Sequence, residues 1–232
     1  MTDLLAGFDW TTPFIADACV QLSLPVRVGP PGLRCHFPGS KVSGPARPAR
    51  HFGSTDVFLE AIAASQRGDV LVIDNGGRID EGCIGDLVVG EALMSGIAGT
   101  ICWGTHRDTG AIAAMNARVW SLGTCPNGPL ELRRRVTTAL TAANLGSVTV
   151  TLDDYLFADD DGAVVVATSD LDRVMETARD IAAREGAQAA RLLKGELLRT
   201  QLDLDGYVAR RESDPNHTFR DHLKSFGGAI EI

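Results

Sequence analysis

Apolar residues along this chain follow two spacings, and the alternation between them predicts the architecture. Phe14, Ile15, Ala18, Cys19 and Leu22 recur at three- and four-residue intervals, the period of one helix face. Thr11-Thr12-Pro13 supplies a hydroxyl cap with proline in the first turn, and the helix should end before Pro25. Residues 25–40 carry Pro25, Pro30, Pro31 and Pro38 among glycines and read as irregular. Val57, Ala61 and Ile62 mark a second helix over Thr55–Gln66. Asp69–Asp74 is instead an almost unbroken apolar run after Gly68, the mark of a buried parallel strand. A glycine-rich loop, NGGRIDEGCIG, leads to Gly85. Asp86–Ser95 returns to helical spacing through Leu87, Val88, Ala92 and Leu93, closed by Gly96. Ile97–Cys102 is a second buried-strand candidate. Strand, helix and strand together take about 35 residues, the size of one βαβ unit. Further strands are predicted at 117–122, 147–152 and 163–168. A long amphipathic helix is predicted over 170–199, with Leu171, Val174, Ala178, Ile181 and Ala182 on one face. His217–Ile232 reads as a short helix with an extended end. The alternation of strands and helices predicts an α/β fold, and no repeat or linker divides it.

Composition narrows this picture by exclusion. At 44% hydrophobic and 22% charged over 232 residues, the chain is an ordinary folded one, long enough to bury a core without metals or disulfides. Its longest nearly apolar stretch, Ala92–Gly104, falls short of the roughly 20 residues a membrane span needs. The opening MTDLLAGFDW has no basic segment of a signal peptide, so a cytoplasmic protein is expected. A net charge of −8 argues against nucleic acid, whose phosphates need a concentrated basic face. Arg133–Arg135 reads as decoration of a solvated helix. Five cysteines without a CxxC pair exclude a disulfide framework or a structural zinc site. Cys19 and Cys102 read as core residues, and Cys83, which has no histidine nearby in sequence, as a buried thiol. Asp159–Asp161 before Gly162 reads as an acidic turn.

The chemistry should gather where parallel strands end, beyond their carboxyl edge. The first buried strand leads to Gly85-Asp86 at a helix start, where backbone N–H groups favour an anion such as a carboxylate. The second leads to Arg107-Asp108. Parallel connection would put Asp86, Arg107 and Asp108 on one rim. Arg107-Asp108 has two readings: a structural ion pair or helix cap, or a carboxylate for a hard cation beside a planar fork for an anionic oxygen. Mg²⁺ commonly takes one or two protein carboxylates and keeps several waters, so one direct Asp would suffice.

Asp86, twenty intervening residues, then Arg107-Asp108 resembles the signature of the RraA-like family. That family includes divalent-metal pyruvate aldolases acting on 4-hydroxy-4-methyl-2-oxoglutarate and 4-carboxy-4-hydroxy-2-oxoadipate, and the regulator of ribonuclease E activity A. Ile15–Ala18, Val42–Ala46, Gly68–Asp74, Gly76-Gly77, Gly99, Gly104 and Asp159–Val166 resemble the family's markers in the family's order, so the resemblance covers 11–200. It implies a layered α/β domain of the swivelling ββα type, with a βαβ core and a C-terminal helical extension. Residues 1–200 would form the catalytic domain and 201–232 an extension serving as an oligomer arm. Asp108 would bind Mg²⁺ or Mn²⁺ directly and Asp86 would do so through water. Glu185, or else Glu196, would approach from a neighbouring subunit, again through water, in a homotrimer or homohexamer. Arg107 would bind the 2-oxo and carboxylate end of a small 2-oxo acid, with Gly85 and the amides of Leu87 and Val88 cradling that carboxylate. Arg107 and Asp86 are therefore the catalytic candidates.

The implied reaction is retro-aldol cleavage of a 4-hydroxy-2-oxo diacid, decarboxylation of oxaloacetate, or both, each giving pyruvate through a metal-stabilised enolate. Alternatives are a non-catalytic regulator docking on a ribonuclease and a related sugar-acid lyase or dehydratase. Only three lysines, Lys41, Lys194 and Lys224, stand beside nineteen arginines, which agrees with metal rather than Schiff-base chemistry. His106 departs from the family pattern. It reads as a loop histidine bonded to backbone, or as a contact to the remote carboxylate or a proton relay. Arg78 and Glu81 could touch the variable half of the substrate, but surface exposure is the simpler expectation.

Overall fold

The computed structural model describes residues 7–226. In chain order, α1 (Thr12–Gln21), β1 (Arg27–Val28), β2 (Arg34–Cys35), β3 (Val42–Arg50), α2 (Asp56–Ala63) and β4 (Val70–Asp74) form the first part. They are followed by β5 (Gly82–Ile84), α3 (Asp86–Met94), β6 (Gly99–Trp103), β7 (Thr105–His106), α4 (Thr109–Ala114) and β8 (Val119–Ser121). The hairpin strands β9 (Ala142–Leu145) and β10 (Val148–Thr151) precede β11 (Asp154–Asp159) and β12 (Gly162–Ala167). Helices α5 (Leu171–Leu193), α6 (Leu198–Gln201), α7 (Leu204–Ser213) and α8 (Phe219–Phe226) close the described chain.

Eight strands make one mixed sheet in the order β1-β12-β11-β3-β4-β6-β8-β2. Its centre, β3-β4-β6-β8, is parallel and the flanks are antiparallel. The predicted βαβ unit is β4-α3-β6, with Val70 opposite Gly99 and Asp74 opposite Trp103. β4 is buried throughout because its two sets of alternate residues face different cores. Leu71 and Ile73 pack with α2, α3 and α4 through Phe58, Val89 and Ile112. Val70 and Val72 pack with Trp120, Leu156 and the β9-β10 hairpin through Ala143 and Val150. A third cluster joins α1 and α5 to the outer side of β11 and β12 through Ile15, Phe157 and Met175.

The predicted strands at 117–122, 147–152 and 163–168 are β8, β10 and β12. β3 was hidden by Pro45 and Pro48. The strand tolerates them because Val42–Pro45 pairs with β11, whereas Ala46–Arg50 pairs with β4 on the other edge. Each half leaves an edge where a missing N–H costs nothing. Asp159 is more than turn chemistry: it is buried, and its carboxylate accepts the Thr12 amide at 2.7 Å and hydroxyl at 2.6 Å, tying α1 to the sheet. The predicted helix over 170–199 ends as α5 at Leu193, followed by Gly195 at φ +91°. Arg133–Arg135 is not on a helix. Residues 127–136 are extended and irregular, with Arg133 and Arg135 reaching Glu81 and Glu60 on the body and Arg134 exposed. Of the predicted tail, α8 is seen and residues 227–232 lie outside the described residues. Among the described residues, no helix is long and apolar enough to cross a membrane.

A partly buried ion pair pins β1 to β11. Asp154 accepts from Arg27 at 2.5 and 2.9 Å, and also from the Thr151 amide at 2.7 Å. Burial pushes the Asp154 carboxyl up, but Arg27 and the Thr151 amide outweigh it, and the net shift is downward. A carboxyl held below its unfolded value stabilises the fold above that value, and this contribution is lost as pH falls through the folded one. Asp154→Asn should therefore cost about 2 kcal/mol at neutral pH. Urea midpoints of variant and wild type should converge as pH drops below the model-peptide value of 3.8. A gap that stays constant with pH would exclude the charge as its origin.

Candidate functional site

β5 and β7 form a short parallel pair beyond the central sheet, with Gly82 opposite Thr105 and Ile84 opposite His106. This pairing sets the segment before α3 beside the segment before α4. Arg107 is fixed there by its amide, which donates to the Ile84 carbonyl at 2.9 Å. Asp86, Arg107 and Asp108 line one cavity of about 150 Å³, together with Gly85, Leu87 and Val88. The residues proposed from sequence are thus brought together, apart from Glu185.

Asp108 precedes α4 at φ +59°, ψ +35°, a left-handed conformation uncommon for a side-chain-bearing residue and typical of functional loops. Its carboxylate makes no capping bond to α4, which removes the helix-cap reading. An ideal Cβ on Gly85 would lie 2.2 Å from Asp108 Oδ2 and 3.3 Å from Arg107 Nε. Glycine at 85 is therefore what lets the carboxylate and the guanidinium lie against the start of α3. Likewise a Cβ on Gly128 would meet Arg107 Nη1 at 2.7 Å. Arg107 Nε stands 3.4 Å from Asp108 Oδ2, with both side chains more than 40% exposed. A pair that long and that wet contributes little stability, which leaves both groups available to a ligand.

The start of α3 is less open than expected. Gly85 offers no capping side chain, but Asp86 Oδ1 accepts the Leu87 amide at 2.8 Å. One of the two amides assigned to a substrate carboxylate is thus engaged by Asp86 itself.

The other candidates fall elsewhere. His106 is buried, with Nδ1 2.8 Å from Ser121 Oγ and Nε2 3.2 Å from Thr109 Oγ1. Ser121 Oγ donates to the Gly123 carbonyl, so Nδ1 donates to Ser121 and Nε2 accepts from Thr109. Both nitrogens are satisfied by hydroxyls, and burial, then His36, push its pKa down. These two hydroxyls hold the ring inside the fold, the arrangement of a structural histidine. Arg78 pairs with Asp80 at 2.8 Å and with Glu81 at 3.2 Å. Glu81 is not exposed: it is buried and also holds Arg133 at 3.1 Å. Cys83 lines the cavity but is a buried thiol 3.2 Å from Cys102 Sγ. Its hydrogen bond and the burial push the Cys102 thiol up.

Glu185 lies on α5, apart from this cavity, in a hollow with Gln188 and Leu192. Burial, then Asp17, push its carboxyl up. Glu196 is engaged by Arg191, whose Nε donates to it at 2.7 Å. Sequence reasoning missed His51, Asn75 and Arg133 near the site. The signal for His51 was its place just after a parallel strand, which the prolines of β3 concealed.

Among the described residues, no three His, Cys, Asp or Glu side chains converge as a metal cage. The donor set still fits a hard, largely hydrated cation, because Asp108 and Asp86 open onto one cavity and Mg²⁺ needs only one or two carboxylates.

Comparison with known proteins identifies the family. The RraA-like family model (Aldolase/RraA) matches residues 12–165. A Xanthomonas campestris protein named "Putative 4-hydroxy-4-methyl-2-oxoglutarate aldolase" is 31% identical over 160 residues, 68% of this chain and 92% of its own. A Dechloromonas aromatica protein of the same name is 30% identical over 145 residues, 62% of this chain and 88% of its own. Among solved structures, Streptomyces coelicolor RraAS2, described as an unusual member of the RNase ES inhibitor RraA protein family, superposes with a TM-score of 0.69. It is 26% identical, covering 82% of this chain and 96% of its own. The layered α/β fold is that of these proteins, and the chain belongs to the RraA-like family of aldolases and RraA proteins.

Proposed function

We propose that this protein is a divalent-metal lyase that releases pyruvate, by retro-aldol cleavage of a 4-hydroxy-2-oxo diacid, by decarboxylation of oxaloacetate, or by both. The observation that carries this is the convergence of Asp86, Arg107 and Asp108 on one cavity at a helix start. When bound, Mg²⁺ or Mn²⁺ supplies a Lewis acid that draws charge from the 2-oxo oxygen. Asp108 would hold the ion directly, and Asp86 would do so through water. The Arg107 guanidinium, beside that site, stabilises negative charge as it develops on the 2-oxo oxygen.

In retro-aldol cleavage, the 4-hydroxyl loses its proton, C4 becomes a carbonyl carbon, the C3–C4 bond breaks, and its electrons form the enolate of pyruvate. Protonation at C3 then completes the methyl group. Asp86 Oδ1 is engaged by the Leu87 amide, which fixes the carboxylate and leaves Oδ2 to orient the water that moves these protons. Decarboxylation reaches the same enolate without the first proton transfer. In this reading Glu185 completes the site from a neighbouring subunit of a homotrimer or homohexamer, and residues 201–232 act as an arm of that assembly.

Activity should require Mg²⁺ or Mn²⁺. Chelation should abolish pyruvate release from 4-hydroxy-4-methyl-2-oxoglutarate and oxaloacetate, and added metal should restore it. Pyruvate release that survives chelation, or none from either acid with metal present, would overturn the assignment. The second outcome would favour the ribonuclease-regulator reading.

A further inference from the structure

A second cavity, of about 190 Å³, adjoins the first, and its polar walls are Arg50, His51, Asp74, Asn75, Arg133 and Arg134. His51 lines both cavities. Three guanidinium groups face one carboxylate here, and that carboxylate is already engaged. Asp74 Oδ1 accepts the Gly76 amide, and Oδ2 accepts the Asn144 amide with Arg50 Nε 3.3 Å away. Arg133 Nη2 donates to Glu81 at 3.1 Å and to Asn75 Oδ1 at 3.3 Å, but its Nε has no partner. Arg134 has no hydrogen bond or ion pair among the described residues.

Two more polar atoms here are buried and unpartnered. Asn75 is 1% exposed and His51 4% exposed, and neither Asn75 Nδ2 nor His51 Nε2 has a hydrogen-bond partner. Such atoms are costly and uncommon. Two of the three, Asn75 Nδ2 and Arg133 Nε, are donors facing one cavity beside Arg134, itself unpaired among the described residues, and they point to an anionic ligand. Asp74 offsets Arg50 and Glu81 offsets Arg133, so the charge that water alone would leave unmet is that of Arg134.

The network also determines what His51 offers. Asn75 Oδ1 receives Arg133 and can only accept, so His51 Nδ1, 2.8 Å away, is the donor. In the neutral ring Nε2 is then a bare acceptor. Stacking on Phe58, with ring centroids 5.0 Å apart, sets the imidazole plane. Burial, the largest influence, pushes its pKa down and keeps the ring neutral.

We infer that this second cavity is the subsite for the remote half of the 4-hydroxy-2-oxo diacid, with Arg133, Arg134 and the Asn75 amide holding its far carboxylate and His51 Nε2 accepting from the water that takes up the 4-hydroxyl proton. The inference rests on the function proposed above. The order of groups matches the order of surfaces. The 2-oxo acid end belongs at Arg107 and Asp108, the hydroxyl-bearing carbon at the shared residue His51, and the remote carboxylate among the arginines. Decarboxylation, which has no 4-hydroxyl, would not use His51.

The test compares kcat/KM for 4-hydroxy-4-methyl-2-oxoglutarate and for 4-hydroxy-2-oxopentanoate, which lacks the remote carboxylate. Arg134→Gln, at an exposed position, should lower the diacid-to-monoacid ratio at least tenfold, mostly through KM for the diacid. His51→Phe, which keeps the stack on Phe58, should lower turnover of both substrates, and His51→Gln, which restores an acceptor, should recover part of it. An unchanged ratio in Arg134→Gln, or unchanged turnover in His51→Phe, overturns the subsite. Exchange of pyruvate methyl protons in D₂O with Mg²⁺ separates the two readings. Its absence in the wild type removes the lyase itself, whereas its presence beside an unchanged ratio removes only the subsite.

Discussion

Asp108→Asn should lower metal-dependent pyruvate release roughly 10²–10³-fold, the usual loss when one charge-stabilising group is removed. Asparagine is the informative substitution because residue 108 sits at φ +59°, a conformation Asn adopts readily and alanine does not. Alanine would add about 1–2 kcal/mol of backbone strain at that position and confuse lost chemistry with lost structure. The carboxylate caps no helix and pairs with Arg107 only at 3.4 Å, so its removal should leave the melting temperature nearly unchanged. Titration calorimetry with Mn²⁺ should show the same variant losing its metal. Full activity, or undiminished Mn²⁺ affinity, would mean that Asp108 is not the anchor. Arg107→Lys should fall almost as far as Arg107→Ala, because a point charge does not replace a planar fork.

Gly85→Ala is expected to damage the same chemistry without changing a charged group. The new methyl would sit 2.2 Å from Asp108 Oδ2, inside any permitted contact distance, so the carboxylate must move. The backbone at Gly85, φ −139° and ψ −169°, is extended and open to alanine, so the fold should survive. Activity should drop by roughly 10²-fold, the scale at which a 1 Å misplacement is felt. Melting should shift little. Both substitutions act through one carboxylate, so Gly85→Ala with Asp108→Asn should be no worse than Asp108→Asn alone. Additive losses, or an active Gly85→Ala, would show that the contact does not matter to turnover.

The alternative roles considered for His106 and Glu81 show where reading a chain in one dimension fails. His106 adjoins Arg107, yet the pairing of β5 with β7 turns it inward onto Ser121 and Thr109. Glu81 looked like a loop surface residue, yet it is buried because Arg133, fifty-two positions later, supplies its counter-charge. Periodicity carries no information about either event, since both depend on partners far along the chain.

The amino-acid sequence by itself determined the βαβ unit, the helix that begins at Asp86, and the placing of Asp86, Arg107 and Asp108 at strand-proximal ends. Those follow from local periods, glycine punctuation and the direction of parallel strands. Only the tertiary structure decided that Gly85 makes room for Asp108, that Asp86 takes the Leu87 amide, and that His51 stands between two cavities. β3 ends at Arg50 beside β4's Asp74, and this register carries His51 and Asn75 to the same rim although neither its prolines nor their spacing announce a strand. Side-chain proximity of this kind arises from sheet register and loop closure, which are non-local and therefore unwritten in any short stretch of residues.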